Sequence, residues 1–272
     1  KRESFLAGYH MLKAHAAIVD VYRSDFQPWQ NGTIGLVTST HWAEPLHDTE
    51  ACREAARRSV EFNYGWYGHP IVHGDYPESM RSMMSPDILV PLTDEDKAQL
   101  KGSVDWLGLN HYHTILAQPA DHHLQDGGAY IEEAGIMEYK PDTENRRRYG
   151  INNDPEGLAS TARWMHDSYP GIPIYVTENG LTCRSGEARE QLEDQFRVDH
   201  YRGFIGACER ALHSGVDLRG FFCWSLMDNF EWGSGFQSRF GLIHVDFDTL
   251  KRTPKSSFDF YRRVIAARGL PD

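Results

Sequence analysis

The chain of 272 residues lacks most of the signals that settle function quickly. Its four cysteines, Cys52, Cys183, Cys208 and Cys223, form no CxxC pair, which removes zinc-ribbon and thioredoxin-like readings. Scattered cysteines read as reduced thiols and lead us to expect a cytoplasmic protein. The 14 histidines show no HExxH or other metal-ligand spacing, so no cofactor or metal is expected. No GxGxxG and no Walker sequence is present, which leaves dinucleotide and P-loop chemistry without support. Basic residues are in deficit, and the net charge of −11 argues against nucleic acid and anionic membrane surfaces as partners. No apolar run approaches the roughly 18–20 residues of a spanning helix. The opening Lys1-Arg2-Glu3-Ser4 has neither an initiator Met nor a signal-peptide layout.

What is present is an ordinary globular composition, 40% hydrophobic and 25% charged, rich in aromatics with 7 Trp and 13 Tyr. Helical spacing runs from about Glu3 to Arg23, and Thr33–Thr38 reads as a short buried strand. Asp48 and Thr49 signal a helix reaching about Trp66, and Thr93 with Asp96 gives a capping-box start to a short one. Asp105–Asn110 is the next strand. Residues 113–153 are polar and aperiodic and read as a long loop, with His122 and His123 exposed in it. A helix over Pro155–Tyr169 precedes the strand Ile174-Tyr175-Val176-Thr177-Glu178, closed by the turn signal Asn179-Gly180. A helix over Leu192–Ser214, a strand over Leu218–Ser225, a long aromatic loop and a helix starting at Pro254 complete the chain. Strands alternating with helices imply an α/β fold with a parallel sheet. In such folds functional residues collect after strand C-termini.

The strand ends offer Trp42 and Glu44; Asn110 and Tyr112; Glu178; and Trp224 with Asp228, Glu231, Trp232 and Phe240. Carboxylates mixed with indoles suit a carbohydrate, whose C–H faces lie on rings and whose hydroxyls need paired acceptors. The plainer alternative puts Trp224 and Trp232 in the core, Glu231 on the surface and Glu178 in a solvated turn.

Several stretches nevertheless resemble glycoside hydrolase family 1, the β-glucosidase family, in that family's order. They are Gly74–Pro77, Leu107–Tyr112, Val176–Gly180, Trp224–Trp232, Arg239–Leu242, Val245-Asp246 and Arg252–Ser257. The resemblance implies a TIM (β/α)8 barrel, of which this chain covers about strands 5–8, as one domain over 1–272 that forms the C-terminal half. It implies a retaining β-glycosidase of the β-glucosidase type. Glu178 would be the nucleophile and Tyr112 the hydrogen-bond donor that orients it. Trp224 would be the sugar platform, Glu231 and Trp232 would read hydroxyls, Phe240 would wall the pocket and Asn110 would support the strand end. Family members acting on 6-phosphosugars lack the Glu-Trp pair and carry a Ser-x-Lys-x-Tyr clamp. Glu231-Trp232 is present and the clamp is not, so a non-phosphorylated substrate is favoured.

The resemblance also exposes a gap. Retaining hydrolysis needs a second carboxyl as general acid/base, which the family carries in a Thr-x-Asn-Glu-Pro motif that this sequence does not contain. Trp42-Ala43-Glu44-Pro45 is the only Glu-Pro flanked by aromatics, but it falls on the wrong strand and lacks the Asn. The expected partner is therefore an N-terminal half-barrel, from the same polypeptide or a second chain, or a second copy in a homo-oligomer. The isolated chain should hydrolyse ordinary glucosides poorly. A non-catalytic sugar-binding relative and a half-barrel scaffold are the competing classes.

Overall fold

The computed structural model describes residues 2–120, 129–149, 153–184 and 191–271. Its centre is a four-stranded parallel sheet of β1 (Gly35–Ser39), β3 (Trp106–Asn110), β6 (Ile174–Asn179) and β8 (Leu218–Cys223). Spatial order equals chain order, with every neighbouring pair parallel. Helices follow each strand: Glu50–Val60 and its continuation after β1, Pro155–Ser168 after β3, Gln195–His213 after β6, and Ser256–Ala267 after β8. Such repeated β-α units with right-handed crossovers wind in one direction, as in a partial (β/α) barrel.

One face of the sheet packs on the helices. Leu107, Leu109, Ile174, Val176 and Leu218 meet Leu158, Met165, Phe204 and Ala211 in the main core. The opposite face carries Trp106 and Tyr175, whose rings meet edge-on at 5.4 Å. A Cβ on Gly35 would fall within 2.2 Å of the Trp106 ring, so only glycine lets that indole lie across β1. This second face and the outer strands are incompletely covered: Val37 on β1 is 44% exposed and Phe222 on β8 is 57% exposed.

Local signals read from the sequence hold at several helix ends. The Thr49 hydroxyl accepts from the Cys52 amide, and Thr93 and Asp96 exchange the two bonds of a capping box. The first of these helices passes through a widened turn at Glu61–Gly65 and runs on as Trp66–His73.

Three expectations need correction. The stretch 113–153 is not a structureless loop. It contributes β4 (Thr114–Pro119) and β5 (Ile136–Tyr139) to a side sheet with β2 (Trp42–Pro45). Ile115 and Ala117 alternate into its core, a period-2 signal too short to stand out among polar neighbours. Glu138 of β5 locks the side sheet to the Glu50–Val60 helix, accepting from Ser59 at 2.6 Å and pairing with His41 at 3.3 Å. His122 and His123 lie outside the described residues.

Pro254 does not start the last helix. It ends β11 (Arg252–Pro254), which pairs antiparallel with β10 (Ile243–Val245). The aromatic stretch after β8 is likewise structured, with β9 (Ser238–Arg239) pairing with β7 (Cys183–Arg184). Third, Asn179 is no turn residue: it closes β6 and is fully buried.

Candidate functional site

The site is built at the C-terminal ends of β3, β6 and β8. Its geometry begins with a bulge in β6. Leu109 pairs with Val176, but the next partners are Asn110 and Glu178, so two residues of β6 stand opposite one of β3. Alternation in a regular strand would put Glu178 on the same face as Ile174 and Val176, under the helices. The inserted residue reverses that. Asn179 takes the buried face, and Glu178 joins Tyr175 on the open one. Beyond it, a Cβ on Gly180 would lie 1.9 Å from the Trp224 carbonyl, so glycine is required for β6 to pass the end of β8 so closely.

Glu178 receives a hydrogen bond from the Tyr112 hydroxyl at 2.7 Å. Burial first, and then that bond, raises the Tyr112 hydroxyl far above its ordinary pKa. Tyr112 therefore stays protonated and donates to the Glu178 carboxyl. Asn110 is joined to the same strand end, its Oδ1 accepting from the Thr177 hydroxyl at 2.6 Å. The Phe240 ring stands edge-on to Tyr112 at 6.3 Å between centroids.

Trp224 follows β8, with a cis peptide to Ser225. Its indole N–H donates to Glu231 at 3.1 Å, which ties two of the predicted residues together. Burial raises the Glu231 carboxyl. Hydrogen bonds from Trp224 and Asn229 oppose this, and the negative charges of Glu178 and Asp228 add to it. Glu178 and Glu231 are thus electrostatic neighbours. Trp232 stands apart at the rim, 82% exposed on a single turn.

Beneath these residues lies a layer of buried charge. Asp228 accepts from the Gly241 amide at 2.9 Å, the Val245 amide at 3.3 Å and the Lys255 ammonium at 2.9 Å, with Arg239 at 3.5 Å. It is a candidate acid in the sequence, but the structure gives it the task of anchoring the loop that carries Glu231. Asp194 accepts from the Ser257 amide at 2.8 Å and hydroxyl at 2.6 Å, capping the last helix from far away in sequence. It also pairs with fully buried Arg197, which in turn donates to the carbonyls of Leu181 (2.9 Å) and Arg239 (2.7 Å). That guanidinium adds to the β7–β9 pairing that joins the post-β6 and post-β8 segments. Arg197 and Lys255 were not singled out in the sequence. Arg197 gave one usable signal: it falls on the buried stripe of its helix with Tyr201, Phe204, Cys208 and Ala211.

Glu44 lies elsewhere. It is exposed on β2 of the side sheet, where it accepts from the Trp42 indole. No cluster of three or more metal-binding side chains occurs among the described residues, and no described helix is long and apolar enough to cross a membrane.

A sequence model described as glycosyl hydrolase family 1 matches residues 1–270. Beta-glucosidase 42 of Arabidopsis thaliana is 34% identical over 97% of this chain and 56% of its own length. Beta-glucosidase 26 of Oryza sativa is 34% identical over 98% of this chain and 53% of its own. Among solved structures, beta-glucosidase 2 of the fungus Trichoderma reesei superposes with a TM-score of 0.89 at 32% identity. That match covers 99% of this chain and 60% of the fungal one. A family 1 beta-glucosidase of the fungus Humicola insolens, solved with glucose, gives 0.88 at 31% identity over 98% and 57%. The chain thus spans about half the length of the curated relatives it matches.

Proposed function

Because the chain belongs to glycosyl hydrolase family 1, we propose that it carries the nucleophile and sugar-reading side of a retaining β-glycosidase acting on terminal, non-phosphorylated β-D-glucosides. The observation that carries the proposal is the hydrogen bond from Tyr112 to Glu178, with the Trp224–Glu231 pair beside it. Glu178 attacks the anomeric carbon, the glycosidic bond breaks, and a glycosyl-enzyme forms that water later releases. Tyr112 holds the attacking carboxylate in place. Trp224 lies under the sugar ring. Glu231 accepts from sugar hydroxyls with the oxygen capacity that the Trp224 indole leaves it. Trp232, exposed before substrate binds, donates its N–H to another hydroxyl. Thr177 occupies the Asn110 oxygen and so turns the Asn110 amide nitrogen to donate toward the cleft.

The leaving group of an ordinary glucoside must be protonated by a second carboxyl about 5–5.5 Å from the nucleophile. We assign that acid to the portion of the family barrel that lies beyond the matched segment. The uncovered sheet face and the outer edges of β1 and β8, unpaired among the described residues, with Val37 and Phe222 exposed, support a partner half-barrel there.

A 2,4-dinitrophenyl 2-deoxy-2-fluoro-β-glucoside separates the two carboxyl roles, because dinitrophenolate departs without a proton. Incubation should add one deoxyfluoroglucosyl group, mapped by peptide mass spectrometry to Glu178 and missing from Glu178→Gln. A protein that binds glucosides yet never takes the label would instead be a sugar-binding relative. The 272-residue segment alone should leave cellobiose essentially intact.

A further inference from the structure

The Asn179 side chain bonds none of the proposed sugar contacts, yet it is fully buried one residue past Glu178. Its Nδ2 donates to the His111 carbonyl at 2.9 Å, and its Oδ1 lies 3.0 Å from His200 Nε2. The orientation is unambiguous chemically. A backbone carbonyl can only accept, so the amide nitrogen must face His111 and the amide oxygen must face the imidazole. That oxygen needs a donor, so His200 carries its proton on Nε2.

The other ring nitrogen, Nδ1, lies 2.8 Å from Asn153 Oδ1. Burial, and then the charge of Arg197, lowers the His200 pKa to about 3, so the ring is neutral and Nδ1 accepts. Two acceptors cannot bond each other, so the Asn153 amide takes the orientation a half-turn from the one placed, with its nitrogen donating to Nδ1. The ring itself packs on Phe204 at 4.4 Å and Tyr201 at 5.3 Å.

Three strand ends meet at this amide. The His111 amide donates to the Glu178 carbonyl at 3.0 Å, and the Trp224 amide donates to the Asn179 carbonyl at 2.7 Å. His111 is the neighbour of Tyr112. We propose that His200 is a positioning residue: its Nε2–H fixes the Asn179 amide, which grips the His111 carbonyl and so sets the Tyr112 hydroxyl against the Glu178 carboxylate. The proposal rests on the reading of Glu178 as nucleophile.

The test uses the complete protein and the fluoroglucoside. His200→Phe keeps an aromatic ring in the packing but supplies neither donor nor acceptor. It should slow the saturating labelling rate by about ten- to a hundred-fold with the half-saturating concentration unchanged. His200→Gln offers an amide N–H near the position of Nε2 and should recover most of the rate. Rates are compared per folded molecule, scaled by near-UV circular dichroism. A purely structural role would lower the melting temperature of both variants and leave labelling of the folded fraction alone. Wild-type labelling in His200→Phe, or no recovery in His200→Gln, overturns the proposal. Independently, 15N spectra of the unmutated protein should show His200 as one neutral Nε2–H tautomer across the neutral pH range, and a protonated Nδ1 overturns it. If the unmutated protein takes no label, the nucleophile reading itself falls and the positioning role with it. Labelling that is normal in the wild type and unaffected by His200→Phe removes the positioning role alone.

Discussion

At the scale of single residues, the Tyr112 hydroxyl is the most direct target. A hydrogen bond to a charged group contributes about 1.5–3 kcal/mol. Tyr112→Phe keeps the ring against Phe240 and should slow fluoroglucoside labelling by about ten- to a hundred-fold, with little change in melting temperature. Asp228 should behave in the opposite way. Its side chain is fully buried, and removing it leaves Lys255, also fully buried, without its counter-charge. Asp228→Ala should cost about 3–5 kcal/mol, read as a lower denaturant midpoint.

The two cases show what the sequence discloses about side chains. Glu178, Tyr112, Trp224 and Glu231 were legible because they stand in short stretches that resemble a family segment by segment. Lys255, Arg197 and His200 were not, because each owes its meaning to partners 16 to 47 residues away. Arg197 with Leu181 and Arg239, and His200 with Asn153 and Asn179, become sets only after folding.

At the scale of elements, local chemistry was read well where it is local. The Thr93 capping box is such a case, and it also does something the sequence did not reveal. Its acid, Asp96, accepts from Tyr9 at 3.0 Å and pairs with Lys13, so it fastens the Arg2–Val21 helix to Asp94–Leu100. Burial alone would raise the Asp96 carboxyl. The Lys13 bond, the Thr93 bonds and the Tyr9 bond outweigh it and lower the pKa from 3.8 to about 2. A depressed carboxylate adds stability above its unfolded pKa and loses it as pH falls through the folded one. Helix attachment should therefore weaken between about pH 4 and pH 2. Asp96→Asn should be less stable at neutral pH and flatter across that acid window, followed by circular dichroism.

The side sheet marks the opposite limit. Thr114–Pro119 pairs with Trp42–Pro45, about seventy residues earlier, and a strand of such length has almost no signature apart from its partner. The β6 bulge was equally hidden. A register shift is a relation between two strands, and nothing in Ile174–Asn179 alone announces it.

For the whole molecule, the order of strands and crossovers was recoverable because each β-α unit keeps its own hydrophobic period. How the sheet is completed was not, because closure depends on what adjoins β1 and β8. An apolar hollow of about 430 Å³ beside β1 is lined by Ile18, Val21, Tyr22 and Phe26. A second of about 330 Å³ beside β8 is lined by Phe222, Leu226, Phe258 and Ile265. Exposed apolar strand edges template association. The 272-residue segment by itself should show concentration-dependent self-association in light scattering. Val37→Lys combined with Phe222→Lys should reduce it.

The bulge in β6 gives the molecule a kind of parity bit. Whether the carboxylate at position 178 enters the cleft or the packed interior is decided by its pairing opposite Asn110, not by which residue stands at position 177. Thr177 can exchange with a residue of similar size and the message survives. Deleting it would seat Glu178 directly after Val176 and opposite Asn110, so a strand without the bulge would still turn the acid to the open face.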